Sequence, residues 1–263
     1  TSGLPLAGLA EGRSDAFRRR WLGTHFFNPP RYLHLLEVIP TRETDPAVVV
    51  RVSRFADLRL GKGVVIAKDR PNFIANHIGL HGVIRTLWLL QSGEYTVEEV
   101  DAITGPPLGR PKSATLRTMD IAGLDVLSHV ARNGGIELPP FVHALVDRGW
   151  TGEKAGRGFY QRQGTDILAL DPPTLTYRPM ARVAIPALDA VKQVEDVGAR
   201  TKSLFQDPGR AGAFLRDTLA PTLIHTARVA LDLADSIDEV DWAMRWGFGW
   251  ELGPFEIWDA IGV

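Results

Sequence analysis

The stretch YLHLLEVIPTRETDPAVVVRVSRFADLRLGKGVVIAKD, residues 32–69, decides how the first part of the chain folds. It begins with a run of strand-forming residues that ends at Pro40, which predicts a strand. Asp45 and Pro46 then make a typical helix start, and apolar residues follow at helical spacing. The closing run GKGVVIAKD predicts a short buried strand. Strand, helix and strand in this order are typical of a βαβ unit.

The composition argues against several classes of protein. The chain has 263 residues, of which 44% are apolar, and this is enough for a packed core. Its net charge of −1 predicts no surface for nucleic acid or for anionic membranes. The absence of cysteine excludes disulfides and Cys-based zinc sites, and we predict no metal site. No run approaches the roughly 20 apolar residues of a membrane helix, so we expect a cytoplasmic protein.

The chain beyond Pro71 is predicted to be mainly helical. Residues 72–93, NFIANHIGLHGVIRTLWLLQSG, are apolar on most faces and predict a buried central helix. Thr96 and Glu99 have the spacing of a capping box at the start of the next helix. Residues 164–184 contain three prolines and are predicted to be a linker, after which helical patterns resume.

Two segments of the helical part have the same order of features. Both VEEVDAITGPPLGRPKSATLRTMDIAGL, residues 97–124, and IDEVDWAMRWGFGWELGPFEIWDAIGV, residues 237–263, contain Glu-Val-Asp followed by a glycine and proline turn. An amphipathic segment with Asp and Gly closes each of them. The alternative is a chance match, but the ordered agreement predicts two copies of one helical unit.

His25 and Glu37 are polar residues within the apolar segment GTHFFNPPRYLHLLEVIP, residues 23–40. A neutral histidine can accept a proton near neutral pH, and a neighbouring carboxylate can fix its tautomer and stabilise its charged form. A glutamate inside LLEVI would be costly to bury without a partner, and neighbouring strands could supply one in His25. Taken alone, such a histidine and glutamate are more often structural than catalytic.

Several motifs together resemble the L-3-hydroxyacyl-CoA dehydrogenase family, in its multidomain fatty-acid-oxidation form. The resemblance covers essentially the whole chain, and it implies a mainly α protein. The expected order is the C-terminal part of a Rossmann α/β domain, then two repeated all-helical C-terminal domains like those of 6-phosphogluconate dehydrogenase. The motifs are HFFNPP (25–30), LLEVI (35–39), KDRPNFIANHI (68–78), GEKAGRGFY (152–160) and WGFGWELGPFEIWDAIG (246–262).

The resemblance implies catalytic and substrate-binding roles. His25 matches the base that takes the proton of the substrate 3-hydroxyl, and Glu37 matches the carboxylate that orients it. Asn76 matches a catalytic asparagine that binds substrate near the reacting carbon. Ser2 falls where the family has a serine that contacts substrate. Taken from the residues alone, Asn76 could be a helix-packing amide and Ser2 a helix cap.

The resemblance also implies NAD as cofactor and an acyl-CoA as substrate. Asn28 matches an asparagine near the nicotinamide, Lys154 matches a lysine of the closing motif that contacts the cofactor, and Ser2 lies near the nicotinamide. On a glycine turn, Lys154 would more usually be a solvated charge. No Gly-x-Gly-x-x-Gly follows a strand and opens a helix in this sequence, although the family uses such a turn for the cofactor's pyrophosphate.

We therefore expect an N-terminally truncated chain that is inactive by itself, from an enzyme of fatty acid β-oxidation. The alternative is a non-catalytic helical module for dimerisation or assembly. A homodimer or a fused or associated hydratase domain is the expected partner. The predicted domains are the end of the NAD-binding domain (1–69), a first helical domain (70–163), the linker (164–184) and a second helical domain (185–263).

Overall fold

The structure of the protein is a computed structural model that describes residues 4–262, apart from the side chain of Asn133. Two short turns of 3-10 helix accompany the regular elements. The strands are β1 (Leu22–Phe26), β2 (Leu35–Pro40), β3 (Gly63–Ile66), β4 (Tyr160–Gln163), β5 (Asp166–Asp171) and β6 (Thr176–Pro179). The helices are α1 (Leu6–Leu9), α2 (Asp15–Arg18), α3 (Pro46–Leu60), α4 (Ala75–Gln91), α5 (Val97–Thr104), α6 (Leu116–Ala122), α7 (Leu124–Asn133), α8 (Pro140–Asp147), α9 (Pro186–Ala190), α10 (Val197–Gln206), α11 (Arg210–Leu233), α12 (Ile237–Phe248) and α13 (Pro254–Ile261).

The predicted strand, helix and strand are present as β2, α3 and β3. Strand β2 lies in the middle of a three-stranded sheet, antiparallel to β1 and parallel to β3. Helix α3 begins where the side chain of Asp45 accepts a hydrogen bond from the N–H of Ala47, with Pro46 in the first helical position. It ends at Gly61, whose φ of 63° is easily adopted by glycine.

Apolar residues cover both faces of this sheet. On one face, Leu36 and Val38 of β2 pack with Ala56 of α3. On the other face, Leu35 and Ile39 belong to a larger cluster that includes the buried face of α12. Full burial of side chains of this size stabilises a fold by roughly 1.5–3 kcal/mol each, so β2 is the best anchored strand of the sheet.

The prediction of a linker over residues 164–184 is wrong. Strands β5 and β6 lie in this segment and pair with β4 in an antiparallel sheet. The prolines that suggested a linker do not interrupt it, because Pro172 and Pro173 lie in the turn between β5 and β6 and Pro179 ends β6. Tyr177 fixes the last strand, since its hydroxyl donates to the carbonyl of Gly158 at 2.7 Å.

The chain divides into two compact units that do not follow the predicted domain boundaries. In the part that the structure describes, unit 1 contains residues 4–79 and 223–259, and unit 2 contains residues 80–222 and 260–262. The three divisions fall inside α4, α11 and α13. A separate second helical domain over 185–263 is therefore not seen, because α12 packs on β2 and β3 in unit 1.

The two predicted copies of a helical segment do share their local capping. Thr96 and Ser236 are the N-caps of α5 and α12, and each forms a full capping box with the glutamate three residues later. The aspartates that follow, Asp101 and Asp241, accept hydrogen bonds from backbone N–H groups at the start of α6 and α13 respectively. The repetition therefore extends to the hydrogen bonds that shape each segment.

Candidate active site

His25 and Glu37 lie directly opposite each other on neighbouring strands. They are Cα partners in the antiparallel register of β1 and β2, and the distance from His25 Nδ1 to Glu37 Oε2 is 2.6 Å. Residues opposite each other on one face of an antiparallel pair have their side chains in contact. The pairing of the strands thus brings together the two residues that the sequence predicted as base and carboxylate.

Glu37 is completely buried but its carboxylate is well supplied with hydrogen-bond donors. Its exposed fraction is 0%, and Oε1 accepts hydrogen bonds from the backbone N–H groups of Ile74 and Ala75, both at 3.0 Å. Ile74 directly precedes α4 and Ala75 is its first residue, and the N–H groups at a helix start lack partners within the helix. Three donors therefore converge on one buried acid, which offsets the cost of removing it from water.

Two aromatic rings hold the imidazole of His25. Phe27 and Phe73 contact it edge to face, with centroid distances of 4.8 Å and 5.5 Å. A carboxylate accepts but cannot donate, so we assign the ring hydrogen to Nδ1, which leaves Nε2 as an acceptor. The His25 side chain is 20% exposed, which leaves the ring accessible for a proton transfer.

The other predicted site residues lie in different parts of the chain. Asn76 directly follows Ala75, so the structure brings it to the same helix start as Glu37, and it is half-buried. Asn28 lies in the exposed loop after β1. Lys154 belongs to unit 2, where its ammonium pairs with Asp125 at 2.6 Å. Ser2 lies outside the described residues.

The sequence reasoning missed Lys62, which stabilises the loop between β1 and β2. This lysine is only 8% exposed, and its ammonium donates to the carbonyl of Leu33 at 2.7 Å and to the carbonyl of Pro30. The loop it holds begins directly after the strand of His25. A lysine between two glycines at a strand start was the available signal, but nothing in the sequence indicated its partners.

The large pKa shifts among carboxyl groups of unit 2 belong to structural residues. Burial raises the pKa of Asp101 to about 6, against the effect of hydrogen bonds from Leu116 N–H and the Tyr160 hydroxyl. Burial likewise raises the pKa of Asp120 to about 6, although it accepts from the N–H groups of Phe159 and Tyr160. Each of these acids holds a chain segment in place, so the shifts are explained without a catalytic role.

Comparison with known proteins matches two consecutive segments of the chain to one family. The model described as "3-hydroxyacyl-CoA dehydrogenase, NAD binding domain" matches residues 1–70, and the one described as "3-hydroxyacyl-CoA dehydrogenase, C-terminal domain" matches residues 73–162. The chain belongs to the 3-hydroxyacyl-CoA dehydrogenase family. Its cofactor is therefore NAD, and its fold is a Rossmann domain combined with a helical C-terminal part. The two repeated helical domains expected from the sequence are not shown.

Relatives of known name agree with this assignment. A probable 3-hydroxyacyl-CoA dehydrogenase of Bacillus subtilis is 50% identical over all of this chain, which spans 35% of that protein. A 3-hydroxybutyryl-CoA dehydrogenase of Mycobacterium tuberculosis is 35% identical over 61% of this chain and 57% of its own length. The crystal structure of Escherichia coli 3-hydroxybutyryl-CoA dehydrogenase matches with a TM-score of 0.66 over 99% of this chain and 68% of that one. At 19% identity, that last likeness shows the fold alone.

The residues around His25 suit the reacting end of NAD, whereas two nearby helix starts do not suit its pyrophosphate. Nε2 of His25 can accept a proton, and the exposed amide of Asn28, in the loop after the strand of His25, can hydrogen-bond the nicotinamide end. The first turn of α3 already holds the carboxylate of Asp45, and the start of α4 holds that of Glu37. A phosphate at either position would meet a negative charge. The match over residues 1–70 gives no support to the expected truncation, which stays a prediction together with the inactivity of the isolated chain.

Proposed function

We propose that the protein carrying these residues oxidises L-3-hydroxyacyl-CoA to 3-ketoacyl-CoA with NAD. The observation that carries the proposal is the 2.6 Å contact between His25 Nδ1 and the fully buried carboxylate of Glu37. A base oriented by a buried acid on a rigid pair of strands is the arrangement that removal of a hydroxyl proton requires.

In this proposal, Nε2 of His25 takes the proton of the substrate 3-hydroxyl. When bound, NAD supplies the acceptor for the hydride that leaves C3. The C–O single bond becomes a carbonyl, so one proton and one hydride account for the two-electron oxidation. The imidazolium that results keeps its Nδ1 hydrogen bond to Glu37, which stabilises the new positive charge.

The family resemblance assigns the remaining predicted residues to substrate and cofactor. Asn76 is assigned to the substrate oxygen or its thioester carbonyl, and its position directly after Ala75, whose N–H donates to Glu37, supports this assignment. Ser2 is assigned to substrate and nicotinamide, Asn28 to the nicotinamide, and Lys154 to the cofactor. Lys154 is ion-paired with Asp125, so contact with a cofactor would have to replace that ion pair.

The resemblance of the motifs to those of fatty-acid-oxidation enzymes supports a role in β-oxidation. A homodimer or an attached hydratase domain and a cytoplasmic location belong to the same proposal. The name of the M. tuberculosis relative supports short acyl chains among the substrates. Comparing turnover of hydroxybutyryl-CoA with that of longer hydroxyacyl-CoA thioesters, by formation of NADH, tests this part.

The decisive experiment replaces His25 by glutamine. Loss of a general base lowers kcat by about 10²- to 10⁴-fold, and we expect a loss in this range with the circular dichroism spectrum unchanged. His143→Gln is the matched control, since His143 is an exposed histidine of α8. With the variants made in the full-length protein, turnover of His25→Gln within a few-fold of that of the control would contradict the proposal, as would full-length wild-type protein that forms no NADH from any of these substrates.

A further inference from the structure

The chain enters α4 through two successive residues in the left-handed backbone region. Asn72 has a φ of 66° and Phe73 a φ of 50°. The described part of the chain contains four non-glycine residues with positive φ, and these are the two that are adjacent. Residues other than glycine rarely adopt this backbone conformation, and asparagine tolerates it better than most of them. Strain of this kind persists where the surroundings impose it, often next to functional residues.

This left-handed pair stands directly before the two amides that hold Glu37. Ile74 and Ala75 follow it, and their N–H groups donate to Glu37 Oε1. Phe73 is 1% exposed and also contacts the His25 ring. The direction in which the chain enters α4 therefore determines where the donors for Glu37 point.

The side chain of Asn72 does not explain why this residue is present. Asn72 is 3% exposed, and its Oδ1 has no hydrogen-bond partner among the described residues. A buried amide oxygen without a partner is unfavourable. The residue's backbone, in contrast, is used: its carbonyl accepts the N–H of His77 at 3.2 Å. These observations indicate that the backbone conformation is the property that matters at this position.

We infer that Asn72 and Phe73 are positioning residues for the proposed base. Their left-handed backbone aims two amides at Oε1 of Glu37, which fixes the carboxylate and through it the Nδ1 hydrogen and the orientation of His25. The inference rests on the proposed function for its catalytic consequence. Its structural part concerns the hydrogen bonds of Glu37 and His25 and can be measured without a substrate.

The test compares Asn72→Gly with Asn72→Val. Glycine adopts positive φ readily, whereas a β-branched residue of similar size strongly disfavours it. We expect the valine variant to speed amide hydrogen exchange at Ile74 and Ala75 by about 10-fold, as the left-handed penalty implies. Nitrogen NMR of His25 should show loss of the Nδ1–H tautomer. In the enzyme, kcat should fall by about 10²-fold with little change in KM. The glycine variant should match wild type in each measurement.

Two outcomes would overturn the inference. Wild-type exchange and an unchanged His25 tautomer in the valine variant would show that the backbone here does not position Glu37. An equal loss in the glycine variant would show that the side chain matters instead. If the valine variant fails to fold, Asn72→Ala replaces it, with the same expected direction. NMR effects together with no turnover by the full-length wild-type protein would sink the proposed function and leave this inference standing.

Leu175→Val is the matched control for strain elsewhere. Leu175 has a φ of 53° and lies in the turn between β5 and β6 in unit 2. This substitution should lower the free energy of unfolding and leave the amide exchange of Ile74 and Ala75 unchanged. A change at those amides in the control would mean that they report general destabilisation, which would also overturn the inference.

Discussion

Glu37 accepts three hydrogen bonds from two different parts of the chain. Its carboxylate is difficult to replace because a substitute would have to satisfy all three donors. One oxygen faces the imidazole of His25 and the other faces the start of α4. A side chain that keeps only one of these interactions leaves a buried polar group without a partner. The residue therefore connects the proposed proton acceptor to the rigid backbone of a long helix.

Glu37→Gln should lower kcat by about 10²-fold or more while the fold persists. The amide oxygen can replace Oε1 as acceptor for the N–H groups of Ile74 and Ala75. The amide nitrogen would then face Nδ1 of His25 and donate to it, which moves the ring hydrogen to Nε2 and removes the acceptor. Steady-state kinetics of hydroxyacyl-CoA oxidation measures the effect. Glu11→Gln, at an exposed position of unit 1, is the control; equal kcat in the two variants would refute this role.

The sequence allowed His25 to be paired with Glu37, because neighbouring strands could bring them together and the family resemblance gave them the roles of base and carboxylate. It was not sufficient to predict the donors of Ile74 and Ala75. Their direction depends on two residues with positive φ, and a Phe at such a position contradicts the usual preference. The location of strain is set by tertiary packing, so local propensity could not reveal it.

Among the helices and strands, the sequence signals for helix starts predicted the structure more reliably than proline content did. The capping box at Thr96 and the helix start at Asp45 are present as predicted. Residues 164–184 were misassigned because the prediction relied on their prolines and overlooked the strand-forming residues that alternate between them. In β5, Ala169 and Leu170 are fully buried, which anchors a strand that the proline count had excluded.

Thr96→Ala and Ser236→Ala should each lower the free energy of unfolding by about 1 kcal/mol. Each substitution removes the hydroxyl that accepts the N–H of the glutamate three residues later, at 3.3 Å in both helices. Urea denaturation measures the loss. Thr165→Ala, in the exposed turn between β4 and β5, should change stability by much less. Equal losses of unfolding free energy in the control and in both cap variants would mean that the capping boxes do not contribute to stability.

At the scale of the whole molecule, segments that are far apart along the chain pack against each other. Helix α12 is far from β2 in sequence, yet Val240, Ala243 and Met244 join the core beside that strand. The predicted boundaries assumed that consecutive helices form a domain of their own. Composition and periodicity identify the apolar face of α12, but they do not say which distant surface covers it.

Acid should weaken unit 2 through Glu98, which is 4% exposed and accepts two hydrogen bonds from Arg178. Burial raises the pKa of Glu98, but the bonds from Arg178 and from the N–H of Ala181 outweigh it, so the pKa of this carboxyl lies below its ordinary value. A carboxyl group with a lowered pKa in the folded state stabilises the fold above its unfolded pKa, and this contribution disappears as the pH falls.

Glu98→Gln isolates this contribution from all other titrating groups. The difference in unfolding free energy between wild type and the variant should be constant above about pH 5 and should shrink as the pH falls below the unfolded pKa of about 4.3. Denaturation at a series of pH values checks this. Glu137→Gln, at an exposed position, should show a much smaller and flatter difference. If the difference in unfolding free energy grew as the pH fell, the pKa of Glu98 would be raised in the folded state, contrary to this prediction.

The buried ammonium of Lys62 has a consequence for chemical modification. Reagents that acylate amines need a deprotonated and accessible nitrogen, whereas this one is enclosed and donates to two backbone carbonyls. Exposed lysines such as Lys68, with a side chain 44% exposed, should be acetylated first, and Lys62 should react only when the loop behind His25 opens. Peptide mass analysis after brief acetylation would thus follow the opening of that loop without any substrate or added label.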